Sequence, residues 1–244
     1  MISTLRACAF YLGYASFTIG WGALSILVAW LLPYHMRFHF IVGTWSKFSL
    51  FWLQLTCRVG HQIIGAEHIP ESPCIVLVRH ESTWEVAFLQ TLFAPQATLL
   101  KRELLWIPFF GWAFALLKPI AINRDNPRKA LRKLITEGRQ RLRESVWVVL
   151  FPEGTRMPCD EIGKFQAGGA ALASATGVPL LVVAHDSGRF WPPHQLRKLA
   201  GSVTVKIAPP IDPQGKTTKE INELATLTMA TLMTEIADGS RSIA

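Results

Sequence analysis

Short apolar runs alternate with helical patterns along most of the chain. Several of the runs are continuous Val, Ile and Leu, which is typical of strands that are covered on both faces of a sheet. The predicted strands are Gln62–Gly65, Cys74–Val78, Thr98–Lys101, Ile120–Asn123, Val146–Phe151, Leu180–His185 and Val203–Ile207. The expected fold is therefore α/β, with a mostly parallel central sheet flanked by helices.

Two segments between and after these runs carry strong helix signals. Pro127–Ser145 follows the capping residue Asn126, and its proline suits the first helical position. Its apolar stripe is predicted to be Leu131, Leu134, Ile135 and Leu142, and its outer face Arg128, Lys129, Arg132, Lys133, Arg139, Arg141 and Arg143. Such a charged face is more often solvated than bound to acidic lipid. A last helix, from about 218 to 237, follows Thr217 and Glu220 at capping-box spacing.

The N-terminal part of the chain has a different pattern. Residues 7–32 carry no charge, and as a helix rising about 1.5 Å per residue they exceed a hydrocarbon core of roughly 30 Å. This stretch is too long for a signal peptide, and Pro33 is expected to end it. Residues 38–56 are apolar and aromatic, but His39 and Lys47 interrupt them, which suits a helix at the membrane surface. The two segments could also form a hairpin in one leaflet, or a buried hairpin of a soluble protein.

Basic residues are distributed unequally around the first apolar segment. Only Arg6 precedes it, whereas Arg37, Lys47 and Arg58 follow it. The positive-inside rule then places everything after Pro33 in the cytoplasm. We therefore predict membrane-anchoring helices in residues 1–57 and an α/β domain in residues 58–244 that faces the cytoplasm.

Composition supports a membrane location and excludes some classes of site. Half of the residues are apolar and 17% are charged, against about 25% charged in an average soluble domain. The net charge of +8 favours anionic surfaces, but no nucleic-acid fold motif is present, so we expect no nucleic-acid partner. The cysteines, Cys8, Cys57, Cys74 and Cys159, form no C-x-x-C pair, so neither a zinc site nor a disulfide framework is predicted. No cofactor is expected.

The stretch RHESTWE, residues 79–85, follows the predicted strand that ends at Val78. A helix that starts near Ser82 would let Glu85 reach back toward His80. A neutral histidine that takes a proton needs its other nitrogen held by an acceptor, and a carboxylate also stabilises the imidazolium. Taken alone, an H-x-x-x-x-E pair arises readily by chance, and a structural histidine is an equally good interpretation.

Three more motifs follow strand ends. Lys101, in KRELLWIPFFG, and Arg124 could converge on a phosphate. In FPEGTR, residues 151–156, Gly154 allows backbone amides to face an anion and Arg156 can bind phosphate in a bidentate fork. The turn at 185–188 more often shapes a pocket than reacts, so His185 is a weak candidate for a second base.

In this order the four motifs resemble the glycerolipid acyltransferase family, specifically the 1-acyl-glycerol-3-phosphate acyltransferases. The resemblance runs from about Cys74 to Gly188, and its most specific parts are FPEGTR and K-x-E-L-x-x-x-P-x-x-G. The family most often has aspartate where this chain has Glu85, and asparagine is commoner than Arg79 before the histidine.

The resemblance implies transfer of a fatty acyl group from acyl-CoA or an acyl-carrier protein to the sn-2 hydroxyl of lysophosphatidic acid, which gives phosphatidic acid. His80 would be the general base and Glu85 would orient it, with no acyl-enzyme. Glu153 would orient one of the cations. The implied phosphate-binding residues are Lys101, Arg124, Glu153, Gly154, Thr155 and Arg156.

Other functions stay open at this point. Within the family, the acceptor could be glycerol 3-phosphate or lyso-ornithine lipid. A serine hydrolase is disfavoured because no G-x-S-x-G elbow surrounds Ser82 or Ser187. A non-enzymatic basic membrane-binding module explains the charge but leaves FPEGTR and the K-x-E-L pattern unexplained.

Overall fold

The strands lie where the apolar runs predict them. The computed structural model describes residues 2–123, 125–159, 161–193 and 195–241. The strands of these ranges are β1 (Val59–Ile64), β2 (Ile75–Val78), β3 (Gln96–Lys101), β4 (Ile120–Ile122), β5 (Trp147–Leu150), β6 (Leu180–His185) and β7 (Gly201–Ile207). Each predicted run overlaps one strand, and only the boundaries shift.

The strands described above form one sheet in the order β1-β7-β6-β2-β5-β3-β4. From β6 to β4 all neighbours are parallel, whereas β7 is antiparallel to β6 and parallel to β1. The mostly parallel sheet is thus confirmed. Parallel strands bring their carboxyl ends to one edge, so the segments that follow β2, β3, β5 and β6 lie close together.

Helices cover both faces of the sheet. They are α1 (Ile2–Val28), α2 (Tyr34–Phe38), α3 (Thr44–Cys57), α4 (Trp84–Leu92), α5 (Phe110–Ala115), α6 (Pro127–Arg143), α7 (Gly168–Thr176), α8 (Ser187–Phe190) and α9 (Thr218–Arg241). The predicted caps are present. Asn126 accepts a hydrogen bond from the Lys129 amide at 3.1 Å, and the Thr217 amide donates to Glu220 Oε2 at 2.7 Å.

Alternating strand residues serve two hydrophobic cores. Ile75 and Leu77 of β2 pack with side chains of α6, α7 and α9. Val76 and Val78 pack on the other face, with Phe10 of α1, Leu53 of α3 and Trp84 and Phe88 of α4. The N-terminal helices therefore form part of the layer that supports the strand ends.

The inner face of α6 differs from the predicted stripe. Leu131 is exposed, whereas Leu134, Gly138 and Arg141 are buried. A Cβ on Gly138 would lie 2.7 Å from a Leu172 methyl carbon, so α6 meets α7 most closely there. Arg141 lies on the same face one turn later, so its stem is covered, and its head group pairs with Glu144.

Helix α1 has one protein-facing side and one exposed apolar side. The stretch Ser3–Leu31 is long and apolar enough to cross a membrane, and the helical course ends before Pro33, as predicted. On the protein-facing side, the ring centroids of Phe10 and Trp191 are 5.0 Å apart. Helix α3 packs so closely against α1 that a Cβ on Gly13 would lie 2.3 Å from Trp52 Nε1. The exposed side includes Leu5, Leu12, Ile19, Leu27 and Trp30.

Candidate active site

The polar motifs meet at the carboxyl edge of the sheet. The segments involved are 79–85 after β2, 151–156 after β5, 185–188 after β6 and Lys101 at the end of β3. Leu77 of β2 is paired with Leu150 of β5, and Val149 of β5 with Thr98 of β3. In this register the three strands end within two residues of one another, so the residues that follow them lie at the same edge of the sheet.

His80 and Glu85 are in direct contact. His80 Nδ1 donates to Glu85 Oε1 at 2.8 Å. The contact forms because the Trp84 amide donates to Ser82 Oγ at 2.9 Å where α4 begins, which puts Glu85 in the first helical turn. The His80 ring stacks on Phe151 with 4.2 Å between centroids, and 18% of its side chain is exposed. Its Nε2 has no hydrogen-bond partner within the described ranges, so this nitrogen has its lone pair available for a proton.

Glu85 is fully buried and surrounded by donors. Besides His80, they are the amides of Glu81 and Ser82 at 2.9 and 2.8 Å and the hydroxyls of Ser82 and Ser187 at 2.7 and 3.1 Å. Burial by itself raises the pKa of Glu85, but the hydrogen bond from His80, the charges of His185 and His80 and the Ser82 hydroxyl outweigh it and lower this pKa to about 2. Glu85 is therefore a carboxylate over the whole neutral range.

Glu153 faces inward, and this corrects its predicted role. We predicted that it orients Lys101, Arg124 or Arg156. In the part of the chain that is described, Glu153 Oε1 instead accepts from Arg79 and the Gly163 amide, both at 3.2 Å, and Oε2 accepts from the His80 amide at 3.0 Å. The carboxylate is buried, so it needs donors in its immediate surroundings and cannot bind a substrate phosphate.

Gly154 has the predicted conformation but its amide has another use. Its φ is +70°, which favours glycine. Its N–H donates to the Phe151 carbonyl at 3.0 Å and closes the turn. The amide of Gly154 itself is therefore used within the turn, and the residues that follow it, Thr155 and Arg156, are exposed. That backbone amides around Gly154 face an anion stays a prediction.

Of the predicted phosphate ligands, Arg156 lies beside the start of α4 and Lys101 lies at the end of β3. Arg156 is exposed, and its Nη2 donates at 3.1 Å to Oγ1 of Thr83, the residue that precedes α4. Lys101 is exposed at the end of β3, opposite Ile122 in the register with β4. Arg124 lies outside the described residues.

The turn after β6 contributes to the site through Ser187, which the sequence pattern did not indicate as a partner of Glu85. His185 is buried and its Nε2 bonds the Arg79 carbonyl at 2.8 Å, whereas Ser187 binds Glu85. Arg79 and Glu81, also missed, form a buried ion pair beside His80. The available signal was position, because Arg79, Glu81 and Ser187 lie within three residues of the end of a completely buried strand.

Comparison with known proteins identifies the family of this chain. A model of the family described as Acyltransferase matches residues 61–186. A 1-acyl-sn-glycerol-3-phosphate acyltransferase of Pseudomonas aeruginosa is 42% identical over 91% of this chain and 87% of that protein, and one of Escherichia coli is 30% identical over 80% and 78%. The crystal structure of the 1-acyl-sn-glycerophosphate (LPA) acyltransferase PlsC from Thermotoga maritima matches in fold, with a TM-score of 0.74, 24% identity and coverage of 94% and 95%. The predicted resemblance is confirmed, and the chain belongs to the acyltransferase family.

Proposed function

We propose that this protein transfers a fatty acyl group from an acyl thioester to the sn-2 hydroxyl of lysophosphatidic acid, which forms phosphatidic acid in phospholipid synthesis. The observation that carries the proposal is the 2.8 Å contact between His80 Nδ1 and Glu85, in a histidine whose side chain is partly exposed. Two relatives, at 42% and 30% identity, are named 1-acyl-sn-glycerol-3-phosphate acyltransferases, which supports this acceptor.

In the proposed reaction His80 is the general base. The acceptor hydroxyl attacks the thioester carbonyl carbon while its proton passes to Nε2, and Glu85 stabilises the imidazolium that results. The tetrahedral intermediate then collapses, the C–S bond breaks, and the departing thiolate takes the proton from Nε2. An ester and a free thiol are formed, His80 is neutral again, and no acyl-enzyme is needed.

Arg156 is proposed to bind the phosphate of the acceptor, together with Lys101 and Thr155. All three side chains are exposed at the edge that carries His80. A guanidinium matches phosphate oxygens bidentately, and the lysine adds a point charge. A phosphate held there would fix the glycerol backbone, so that the sn-2 hydroxyl could be placed against Nε2.

The Arg156→Gln substitution tests this contact. A hydrogen bond to a charged group contributes about 1.5–3 kcal/mol, so we expect KM for lysophosphatidic acid to rise roughly 10- to 100-fold. Transfer to monoacylglycerol, which lacks the phosphate, should be the same for wild type and variant. Arg128→Gln, which removes an exposed arginine of α6, is the matched control and should change neither acceptor. Equal losses on both acceptors would contradict phosphate binding by Arg156.

The N-terminal helices are proposed to hold the site at the membrane. Residues 1–57 would anchor the chain, and the domain that begins at residue 58 would face the cytoplasm. Exposed apolar side chains along α1, and Phe51 and Leu55 on α3, support contact with lipid, since large apolar patches rarely face water. Lysophospholipid and product could then stay in the bilayer while a polar acyl donor arrives from the aqueous side.

The function is tested by acyl transfer with purified protein in lipid vesicles. Acyl-CoA and the acyl thioester of acyl-carrier protein are supplied in turn as donors. The acceptor is lysophosphatidic acid, glycerol 3-phosphate or lyso-ornithine lipid. We expect phosphatidic acid from lysophosphatidic acid, at a rate at least tenfold above the other acceptors. A preference for either other acceptor with both donors would overturn the proposed substrate.

A further inference from the structure

Arg79 is completely buried, and all three nitrogens of its guanidinium donate hydrogen bonds. Its Nε pairs with the Glu81 carboxylate and its Nη1 with Glu153. Its Nη2 donates to the carbonyls of Pro158, Cys159 and Glu161 at 2.5, 3.1 and 2.6 Å. No part of this side chain is exposed, so Arg79 cannot contact an acceptor. Its function must be exerted through neighbouring groups.

Both backbone polar groups of His80 are held by parts of the chain that Arg79 binds. The His80 amide donates to Glu153 at 3.0 Å, and Glu153 pairs with Arg79. The His80 carbonyl accepts from the Met157 amide at 2.8 Å. Met157 begins the segment whose carbonyls at 158, 159 and 161 surround the guanidinium. Arg79 therefore restrains the peptide of His80 from two directions.

Glu81 extends the same restraint to Glu85. One of its oxygens pairs with Arg79, and the other accepts from the Gly188 amide at 2.8 Å. The approach is close, because a Cβ on Gly188 would lie 3.1 Å from Glu81 Cβ. Gly188 follows Ser187, whose hydroxyl binds Glu85. The buried ion pair thus connects the supports of both members of the His80–Glu85 pair.

We propose that Arg79 and Glu81 are positioning residues for acyl transfer, which fix His80 and Glu85 relative to each other by clamping residues 157–159, residue 161 and helix α8 to the end of β2. The kinetic part of this inference rests on the proposed function. A guanidinium has five donors in a rigid plane, whereas an ammonium has three on a flexible stem. Charge alone at position 79 is therefore not sufficient to bind two carboxylates and three carbonyls.

Arg79→Lys separates positioning from a purely structural role. We expect kcat to fall about 10- to 100-fold, because a small displacement of the base is costly, while KM for donor and acceptor changes less than about threefold. Arg141→Lys is the matched control, since Arg141 is also buried and ion-paired but lies on α6. It should alter the melting temperature without changing kcat per folded molecule.

A second readout does not depend on catalysis. In a Cys8→Ser background Cys57 and Cys74 are buried, so maleimide labelling reports on Cys159, whose carbonyl Arg79 binds. Arg79→Lys should accelerate the labelling at least fivefold, and Arg141→Lys should not. This measurement stands even if the wild type fails to acylate lysophosphatidic acid, an outcome that would overturn only the proposed function.

Three results would overturn the positioning role. They are unchanged labelling of Cys159, unchanged kcat despite faster labelling, and a rise in KM that accounts for the whole loss of activity. If Arg79→Lys does not fold, kcat and the labelling of Cys159 are measured on Glu81→Gln instead. This variant keeps the side-chain shape and removes the charge that faces Arg79.

Discussion

His80→Ala is expected to lower kcat for acyl transfer by about 10³-fold, within the range of 10²–10⁴ that a positioned general base contributes. KM for the donor and for lysophosphatidic acid should stay within about threefold, because the imidazole takes part in proton transfer rather than in binding. The ring is partly exposed and stacks on Phe151 only at the edge of the sheet, so the variant should fold. Initial rates and the melting temperature measured on the same preparation check both statements.

His68→Gln is the matched control for that substitution. His68 bonds the Ile207 carbonyl at 2.8 Å near the edge strand β1, which β7 and β6 separate from β2, and glutamine can keep a donor there. We expect its rates to match the wild type. Activity of His80→Ala within tenfold of the wild type would mean that RHESTWE is a polar turn and that another group takes the proton.

The sheet could be predicted because each strand is indicated by a pattern of neighbouring residues. Runs such as residues 146–151 and 180–184 are short, continuously apolar and rich in Val, Ile and Leu, which is typical of a strand covered on both sides. The contact between His80 and Glu85 was predictable for the same reason, since it depends on one turn between a strand and a helix. Both inferences need only neighbouring residues in the sequence.

The partners of the buried charges could not be predicted in that way. Glu153 and Arg79 meet because β2 pairs with β5, and the sequence pattern does not state which strands are neighbours. Arg79 preceded a candidate base and could equally have faced the substrate. The folded structure alone shows that the carbonyls of Pro158, Cys159 and Glu161 enclose its guanidinium, and that Ser187 reaches Glu85 from the turn after β6.

Glu85→Gln is expected to reduce kcat by about 10³-fold or more, with little change in KM. An amide of the same shape can still accept from His80, but it no longer stabilises the imidazolium, and losing the equivalent charge in a Ser-His-Asp triad costs about 10⁴-fold. Glu85→Asp should retain more activity than Glu85→Gln, because it keeps the charge and only shortens the reach to Nδ1. Equal activities of the two variants would show that the charge is not used.

The effect of Glu85→Gln on the stability of the fold should depend on pH. The pKa of Glu85 is lowered from 4.5 to about 2, so its charge stabilises the fold by about 3 kcal/mol above pH 4.5, at roughly 1.4 kcal/mol per pKa unit. That stabilisation is lost as the pH falls from 4.5 towards 2, where the carboxyl is protonated in the folded state too. The difference in melting temperature between wild type and Glu85→Gln should therefore be largest near pH 6 and shrink by about half on acidification to pH 3. A difference that does not depend on pH would mean that packing, and not the charge held by the surrounding donors, accounts for the contribution of Glu85.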